Sequence, residues 1–303
     1  MQGDITLISM NCHGLANDKK REDVLLYLKS RSYNVCSIQD THFTPEIENE
    51  IRRQWGGECF FSHHTSNSRG VAILLNTTIP AKIKRYKIDT GGNFVVLDLT
   101  IYDYDITLVS LYGPNADSPT FFADVQQIII EFENPHVIIC GDWNLVQDQN
   151  LDTHNYLHIN NPRARKQVND MKNELDLCDP WRVKYPNKKY YTWRQPNPFK
   201  QSRLDFFLVS SQLLSLVHKS DIISGYRTDH SLVRLSLHLN HIKRGPGTWK
   251  FNNSFLKDEY FVSKIVKTIK ETIIFYAKGD VKFDENDNVV GDCELSINDQ
   301  LFF

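Results

Sequence analysis

The sequence lacks the features that would place it in a disulfide-rich, zinc-binding or membrane-spanning class. Its six cysteines form no Cys-x-x-Cys pair. Cys36 and Cys140 lie inside apolar runs, which indicates small buried thiols in a reducing compartment. No apolar run approaches the roughly 20 residues of a membrane helix. The first residues, MQGDITLISMN, carry neither a basic segment nor a long apolar core, so we expect no secretory signal.

An excess of charge of one sign is also missing. The chain has 35 Lys and Arg against 37 Asp and Glu, a net charge of −2, so no overall positive field points to a polyanionic partner. Residues 278–303 contain two lysines and seven acidic residues, which gives that segment −5 and leaves +3 for the rest. A mildly basic body can still bind a polyanion through a local patch.

Apolar runs of strand length alternate with amphipathic stretches of helical period. Interspersed hairpins and helices favour an α/β sandwich of mixed sheets. The segment RGPG (244–247) is typical of a linker, so we predict a first domain over 1–242 and a second region over 243–303 with one helix and an acidic tail. The predicted helices are 19–31, 118–132, 162–177 and 256–275, and the predicted strands are 5–10, 35–39, 70–76, a hairpin over 93–115, 137–140, 190–193, 203–210 and 231–239.

The segment HVIICGDWN (136–144) places a carboxylate and an amide directly after an apolar strand. Asp142 and Asn144 are two residues apart, so in extended geometry both side chains face the same way. One interpretation is ordinary turn chemistry, in which Gly141 lets the chain turn and the Asx side chains cap their own backbone. The other is a functional site, because the strand ends of open α/β sheets are where ligands bind.

The same arrangement recurs along the chain. A turn or cap is the simpler interpretation of any single instance, but six strand ends with titratable or amide groups favour a site in which they converge. Besides Asp142 and Asn144, the candidates are Asn11, Asp40, Tyr112, Asp205, Asp229 and His230.

In this order, the segments NCHGL, IQDTH, LYGPN, GDWN, SRLDFF and TDHSLV resemble the endonuclease/exonuclease/phosphatase superfamily. The resemblance is greatest to the apurinic-type endonuclease domains of non-LTR (LINE-type) retrotransposons, which LDLCDPWR, YYTWR and RGPGTWKFN also resemble. It covers about residues 4–255. It implies a four-layered α/β sandwich of two mixed β-sheets flanked by helices, the DNase I-like fold. Residues 243–303 would then lead towards a truncated reverse-transcriptase region.

The resemblance also implies a role for each candidate at a scissile phosphate. Asn11 and Asn144 would hydrogen-bond the phosphate, and Tyr112 would position or polarise it. Asp40, Asn11 and Asp229 would hold or adjoin Mg²⁺ or Mn²⁺, with no small-molecule cofactor. A metal ion and donors to the non-bridging oxygens are what phosphodiester hydrolysis needs.

The same resemblance implies that three further residues serve in proton transfer. Asp142 would lie beside the attacking water or the leaving group. Asp205 would orient His230, and we expect these two side chains within hydrogen-bond reach because a carboxylate fixes the tautomer of an imidazole. Whether His230 or Asp142 accepts the proton is left open.

One residue departs from the family pattern. Asp40 stands where the family has Glu, and its carboxylate is one methylene shorter. Because Mg²⁺ demands near-ideal octahedral geometry, a withdrawn carboxylate weakens the metal site. The leading hypothesis is a DNA endonuclease that nicks target DNA for retrotransposition. The alternatives are a phosphatase or phospholipid-headgroup hydrolase on the same fold, or an inactive retrotransposon remnant.

Contacts to DNA are the least distinct part of the pattern. The resemblance implies DNA as the partner, no membrane, and a nuclear location. A solvated surface explains basic residues equally well. The candidates for DNA contacts are His42, Arg163, Arg165, Thr192, Trp193 and Arg203.

Overall fold

The computed structural model of the protein describes residues 2–156, 160–240, 256–276, 281–285 and 288–290. The apolar runs of the sequence form its β-strands. In chain order the strands are β1 (Gln2–Asn11), β2 (Val35–Gln39), β3 (Cys59–Ser62), β4 (Val71–Leu75), β5 (Ala81–Ile88), β6 (Phe94–Ile101), β7 (Tyr104–Tyr112), β8 (His136–Asp142), β9 (Thr153–His154), β10 (Leu177–Cys178), β11 (Trp193–Pro196), β12 (Phe199–Ser202), β13 (Asp205–Ser210), β14 (Val217–Ile223), β15 (Leu232–Asn240), β16 (Lys282–Phe283) and β17 (Val289–Val290).

The helices lie between these strands. They are α1 (Asp18–Ser30), α2 (Glu48–Trp55), α3 (Pro119–Phe132), α4 (Gln149–Asp152), α5 (Pro162–Glu174), α6 (Pro180–Lys184), α7 (Ser211–Leu214) and α8 (Glu259–Tyr276). Helix α1 begins where the Asn17 side chain accepts a hydrogen bond from the Lys20 backbone N–H, and it buries Val24, Leu25 and Leu28 on one face. Within the described residues, no helix is both long and apolar enough to cross a membrane.

Two six-stranded mixed sheets form the core of the unit Met1–Ile242. The first has the order β14-β15-β1-β2-β4-β3, and the second has the order β10-β13-β8-β7-β6-β5. One apolar cluster fills the space between the sheets. A second joins the first sheet to α1 and α2, and a third joins the second sheet to α3 and α5. The layers are therefore helix, sheet, sheet and helix, which is the predicted sandwich.

Each large sheet contains one parallel strand pair. Strand β1 runs parallel to β2, with Asn11 opposite Gln39, and β7 runs parallel to β8, with Tyr112 opposite Asp142. Strand β1 also pairs antiparallel with β15, and Gln2 lies opposite Asn240 at the far end of that pair. The carboxyl ends of the parallel strands therefore carry Asn11, Tyr112 and Asp142.

Two local predictions are corrected. The strand predicted over 190–193 is wrong, because residues 190–192 form a loop and β11 begins at Trp193. Gly141 does not turn the chain; it is part of β8 and pairs with Phe206. A Cβ at Gly141 would lie 1.9 Å from the Leu111 carbonyl oxygen, so glycine is needed for close strand approach.

The second unit, Lys243–Phe303, contains helix α8 and the short β16–β17 pair among its described residues. The predicted helix over 256–275 corresponds to α8, which begins at Glu259. The RGPG segment lies outside the described residues, so its role as a linker stays a prediction.

A buried ion network ties the three-stranded sheet β11-β12-β9 to the body of the first unit. The Arg203 guanidinium is 1% exposed and donates to Asp152, 2.7 Å away, and to Asp179, 2.6 Å away. Arg182 also donates to Asp152. Burial opposes both charged forms, but the neighbouring opposite charges prevail: the pKa of Asp152 is lowered and that of Arg203 is raised. Arg203 is therefore a structural cation and does not reach a surface where DNA could bind, contrary to expectation.

We expect Arg203→Met to lower the free energy of unfolding by about 3–5 kcal/mol, because it leaves the buried Asp179 carboxylate without its cation. The measurement is urea denaturation at neutral pH. Arg163→Met is the matched control: it removes an exposed ion pair with Asp117 and should cost less than about 1 kcal/mol. Equal effects of the two substitutions would contradict this account of the network.

Candidate active site

The parallel strand pairs bring their polar ends to one rim of the sandwich. Asn11 ends β1 and Asp40 follows β2, while Tyr112 ends β7 and Asp142 ends β8. Asp40 has a positive φ of 52°, and this left-handed conformation is one that aspartate tolerates. Each sheet thus contributes one side of a shared cleft.

The remaining residues reach this rim by antiparallel pairing. The register of β13 on β8 places Asp205 opposite Asp142. An isolated bridge joins His230 to Trp193 just before β15 begins. Thr192 fixes this corner, since its hydroxyl accepts hydrogen bonds from the Leu204 N–H at 2.9 Å and the Asp205 N–H at 3.0 Å.

A histidine lies between two buried carboxylates at the floor of the cleft. His230 Nδ1 is 2.9 Å from Asp205 Oδ2, so it donates to a carboxylate that can only accept. His230 Nε2 is 3.9 Å from Asp142 Oδ2. The expected contact between Asp205 and His230 is present. One atom from each residue lies within 4.8 Å of the others, so this cluster is also a possible metal site.

Burial and charge separate the proton affinities of these groups. Burial opposes a charged imidazole, but the Asp205 carboxylate outweighs it and raises the pKa of His230 to about 9. Burial, and then the charge of Asp205, raise the pKa of Asp142 to about 7. At neutral pH His230 is therefore a cation, and Asp142 is the group poised to exchange a proton.

Asp142 is held in place by hydrogen bonds from both sheets. Asn11 Nδ2 donates to Asp142 Oδ2 at 2.9 Å, and the Asn144 N–H donates to Asp142 Oδ1 at 3.0 Å. Asn144 Nδ2 donates to the Gly113 carbonyl at 2.8 Å. Thr228 donates its hydroxyl proton to the Asn11 carbonyl at 2.8 Å, which links β1 to the loop before His230.

Seven of the eight predicted site residues line one cleft of about 410 Å³, and Asp205 lies directly behind it against His230. The charges of the cleft are unbalanced: its lining includes Asp40, Asp142 and Asp229 but no lysine or arginine among the described residues. These carboxylates outnumber the single positive charge of protonated His230, so a metal cation would offset their repulsion of an anionic substrate.

The lining of the cleft includes oxygen atoms of the kind that a hard divalent cation prefers. Asp40, Asp229 and Asn11 supply carboxylate and amide oxygens, the ligands that Mg²⁺ and Mn²⁺ prefer. Behind them, Asp205 Oδ1 is buried without a hydrogen-bond partner, which adds to the negative field at this rim. His230 is less suited to bind metal, because the Asp205 carboxylate raises its pKa to about 9, so that both ring nitrogens carry protons at neutral pH.

The predicted DNA-contacting residues are divided between the surface and the interior. Trp193 lines the cleft and donates from Nε1 to Asp229 at 3.0 Å. His42 lies 3.1 Å from Asp40 Oδ1. Thr192, like Arg203, is buried and anchors other groups. Arg163 is exposed on α5, and Arg165 on the same helix is half-buried.

Six residues that line the cleft were not predicted from the sequence. They are His13, Asn115, Tyr156, Asn160, Asn161 and Leu204. Asn161 Nδ2 donates to the Asn144 carbonyl at 2.9 Å, which joins the start of α5 to the site. The concentration of asparagines around 155–161 was the available signal, but no strand or helix pattern placed that segment.

Comparisons with known proteins agree with this geometry. Residues 8–230 match the model of the endonuclease/exonuclease/phosphatase family. The transposon TX1 uncharacterized 149 kDa protein of Xenopus laevis is 27% identical over 273 residues, which are 87% of this chain and 20% of that protein. The chain therefore spans about a fifth of the length of this relative.

Solved structures share the fold at low sequence identity. The AP endonuclease LMAP of Leishmania major superposes with a TM-score of 0.64 at 16% identity, over 78% of this chain and 88% of that one. The catalytic domain of Xenopus laevis APE2 gives 0.64 at 17% identity, over 77% and 92%. The 3′ phosphatase NExo from Neisseria, bound to a product DNA hairpin, gives 0.62 at 16% identity, over 77% and 99%.

We expect Asp205→Asn to lower the pKa of His230 from about 9 to 6.5 or below, because burial then dominates once the neighbouring carboxylate is lost. An NMR titration of the His230 ring protons measures this. Asp229→Asn is the control, since Asp229 makes the smallest of the named contributions to that pKa and should change it much less. A His230 pKa that stays near 9 in Asp205→Asn would refute the assignment.

Proposed function

Because this chain belongs to the endonuclease/exonuclease/phosphatase family, we propose that it is a metal-dependent DNA endonuclease that nicks target DNA for retrotransposition. The observation that carries the proposal is the buried Asp142–His230–Asp205 arrangement at the floor of an acidic cleft. It combines a proton acceptor and a fixed cation at one place. Hydrolysis of a phosphodiester by water requires both of these.

In the proposed mechanism Asp142 accepts the proton of the attacking water as the water oxygen bonds to phosphorus. The P–O bond to the leaving strand end breaks, and the departing oxygen takes up a proton from solvent. A pKa of about 7 lets Asp142 hold a proton near neutral pH and release it again, whereas His230 is already protonated. The His230 imidazolium stabilises the negative charge that develops on the phosphate, and Asp205 keeps the ring in place. We therefore propose Asp142 as the base, a choice that the sequence left open.

The phosphate itself would be held by neutral donors. Tyr112 keeps its proton over the working range because burial, and then Asp40 and Asp142, raise its pKa. Its hydroxyl can therefore donate to a phosphate oxygen, as can the amides of Asn11 and Asn144. Asp40, Asn11 and Asp229 would hold Mg²⁺ or Mn²⁺, which supplies Lewis-acid stabilisation of charge on the phosphate.

Support for DNA as the substrate comes from the relatives. The Xenopus relative is a transposon protein, and the Neisseria structure contains product DNA. The latter is also a 3′ phosphatase, which makes phosphomonoester hydrolysis the second candidate activity on this fold. Nicking of chromosomal target DNA would place the protein in the nucleus.

The test is a nicking assay on supercoiled plasmid with Mg²⁺ or Mn²⁺. Parallel assays measure phosphate release from a 3′-phosphorylated oligonucleotide and from inositol phosphates. Nicking as the dominant activity supports the proposal. Dominant phosphate release from either substrate would show that the protein is a phosphatase instead. No hydrolysis of any substrate would show that it is an inactive remnant.

We expect Asp142→Asn to reduce nicking about a hundredfold or more, the typical loss when a proton-transfer group is removed. The melting temperature should stay level or rise, because burial and the charge of Asp205 penalise the native carboxylate. Wild-type nicking should increase through about pH 7 as Asp142 loses its proton. Asp148→Asn, which alters only the cap of α4, is the control. Full activity of Asp142→Asn with a lower melting temperature would show that Asp142 serves only as a turn residue.

We expect Asp40→Glu to increase nicking severalfold at subsaturating Mg²⁺. The native carboxylate is short, and its Oδ1 accepts from the Arg69 N–H and lies beside His42, both at 3.1 Å. A longer side chain should reach further into the cleft and meet the strict geometry of Mg²⁺. The rate is measured as a function of Mg²⁺ concentration, with Asp40→Asn as the weakened control. Identical curves for wild type and Asp40→Glu would show that length at this position is irrelevant.

A further inference from the structure

A second groove adjoins the cleft on the far side of Tyr112. It encloses about 480 Å³ and shares Asp40, Tyr112 and Asn115 with the cleft. Its other walls come from the loop before β4 and the turn before β6, including Asn67, Arg69 and Asn93. Because the two cavities share these three residues, they are neighbours on the rim, and a ligand longer than a single phosphate could contact both.

The groove differs from the cleft in its charge. Within the described residues, Arg69 is the one lysine or arginine that lines either cavity. Its Nη1 donates to the Gly91 carbonyl at 3.3 Å and to Asn93 Oδ1 at 3.2 Å. These bonds hold the guanidinium against the groove wall while the side chain stays exposed. An anchored guanidinium loses less conformational entropy when it binds an anion than a mobile one does.

One hydrogen bond and one electrostatic effect connect Arg69 to the proposed reaction centre. Its backbone N–H donates to Asp40 Oδ1 at 3.1 Å. Its positive charge also opposes the rise in the pKa of Tyr112, so the guanidinium lies close enough to act on that phenol. A phosphate beside Arg69 would therefore be a near neighbour of a phosphate beside Tyr112.

We propose that Arg69 binds the backbone phosphate next to the one that is cleaved, so that the groove is the track along which the nicked strand leaves the cleft. Arginine suits this role because its planar group matches two phosphate oxygens. Amide side chains in the same groove can donate to the same backbone. A contact of this kind positions the strand without reading its sequence. The inference rests on the proposed DNA endonuclease function and adds the direction of the strand.

The alternative is that Arg69 only stabilises the loop before β4. Salt dependence separates the two roles, because each phosphate neutralised by a cationic side chain contributes about −0.9 to the slope of log K against log salt concentration for duplex DNA. A loop anchor contributes nothing to that slope.

The experiment measures binding of a duplex oligonucleotide from about 50 to about 200 mM salt. The full chain carries Asp142→Asn so that the DNA stays uncleaved. Adding Arg69→Gln should make the slope shallower by about one and weaken binding severalfold at the lower salt concentration. Arg69→Lys should keep most of the slope. Lys82→Gln is the matched control: it removes one exposed charge from β5, opposite Thr100 at the end of the sheet away from Tyr112, and should leave the slope unchanged.

A second variant tests the groove without altering Arg69. Asn67→Asp adds a negative charge at an exposed position of the same wall and should weaken binding at low salt more than at high salt. An unchanged slope in Arg69→Gln, or no effect of Asn67→Asp, would overturn the inference while leaving DNA binding intact. Failure of the parent protein to bind DNA would overturn the proposed function and this inference with it.

Discussion

The site depends on one electrostatic constraint, which is that two carboxylates are buried side by side. Asp142 and Asp205 lie opposite each other on neighbouring strands and are almost completely buried. Such a pair is tolerated only with a compensating cation or a bound proton. His230 supplies the cation from Asp205's side, and hydrogen bonds from Asn11 and Asn144 hold Asp142. The order of proton affinities follows from this packing.

Much of this site could be predicted because strand ends have a clear sequence signature. A buried strand that ends in a carboxylate or amide is unusual enough that several such ends imply convergence, and the register of β1, β2, β7 and β8 produces it. The hairpin β6–β7 and the long helices follow from apolar periodicity. Edge strand β5 was missed because it is mostly exposed and rich in lysine, and because a register shift between Ile83 and Arg85 interrupts its apolar alternation.

The errors concern polar or small residues whose neighbours in the fold are remote in sequence. Thr192 and Arg203 were expected to face DNA, yet both are buried, and each satisfies groups that only tertiary structure brings near. Gly141 was expected to turn the chain, but the need is for close approach to Leu111 within the sheet. A sequence shows that a residue is polar or small. Only the folded structure shows whether that residue is exposed to a ligand or buried against other groups of the protein.

The pairing of Gln2 with Asn240 has a consequence for how this unit can be combined with other sequence. The two ends of the β1–β15 pair lie side by side, and the ten residues of β1 separate them from Asn11 by about 30 Å. A polypeptide fused at either end would therefore start on the side of the sandwich away from the cleft.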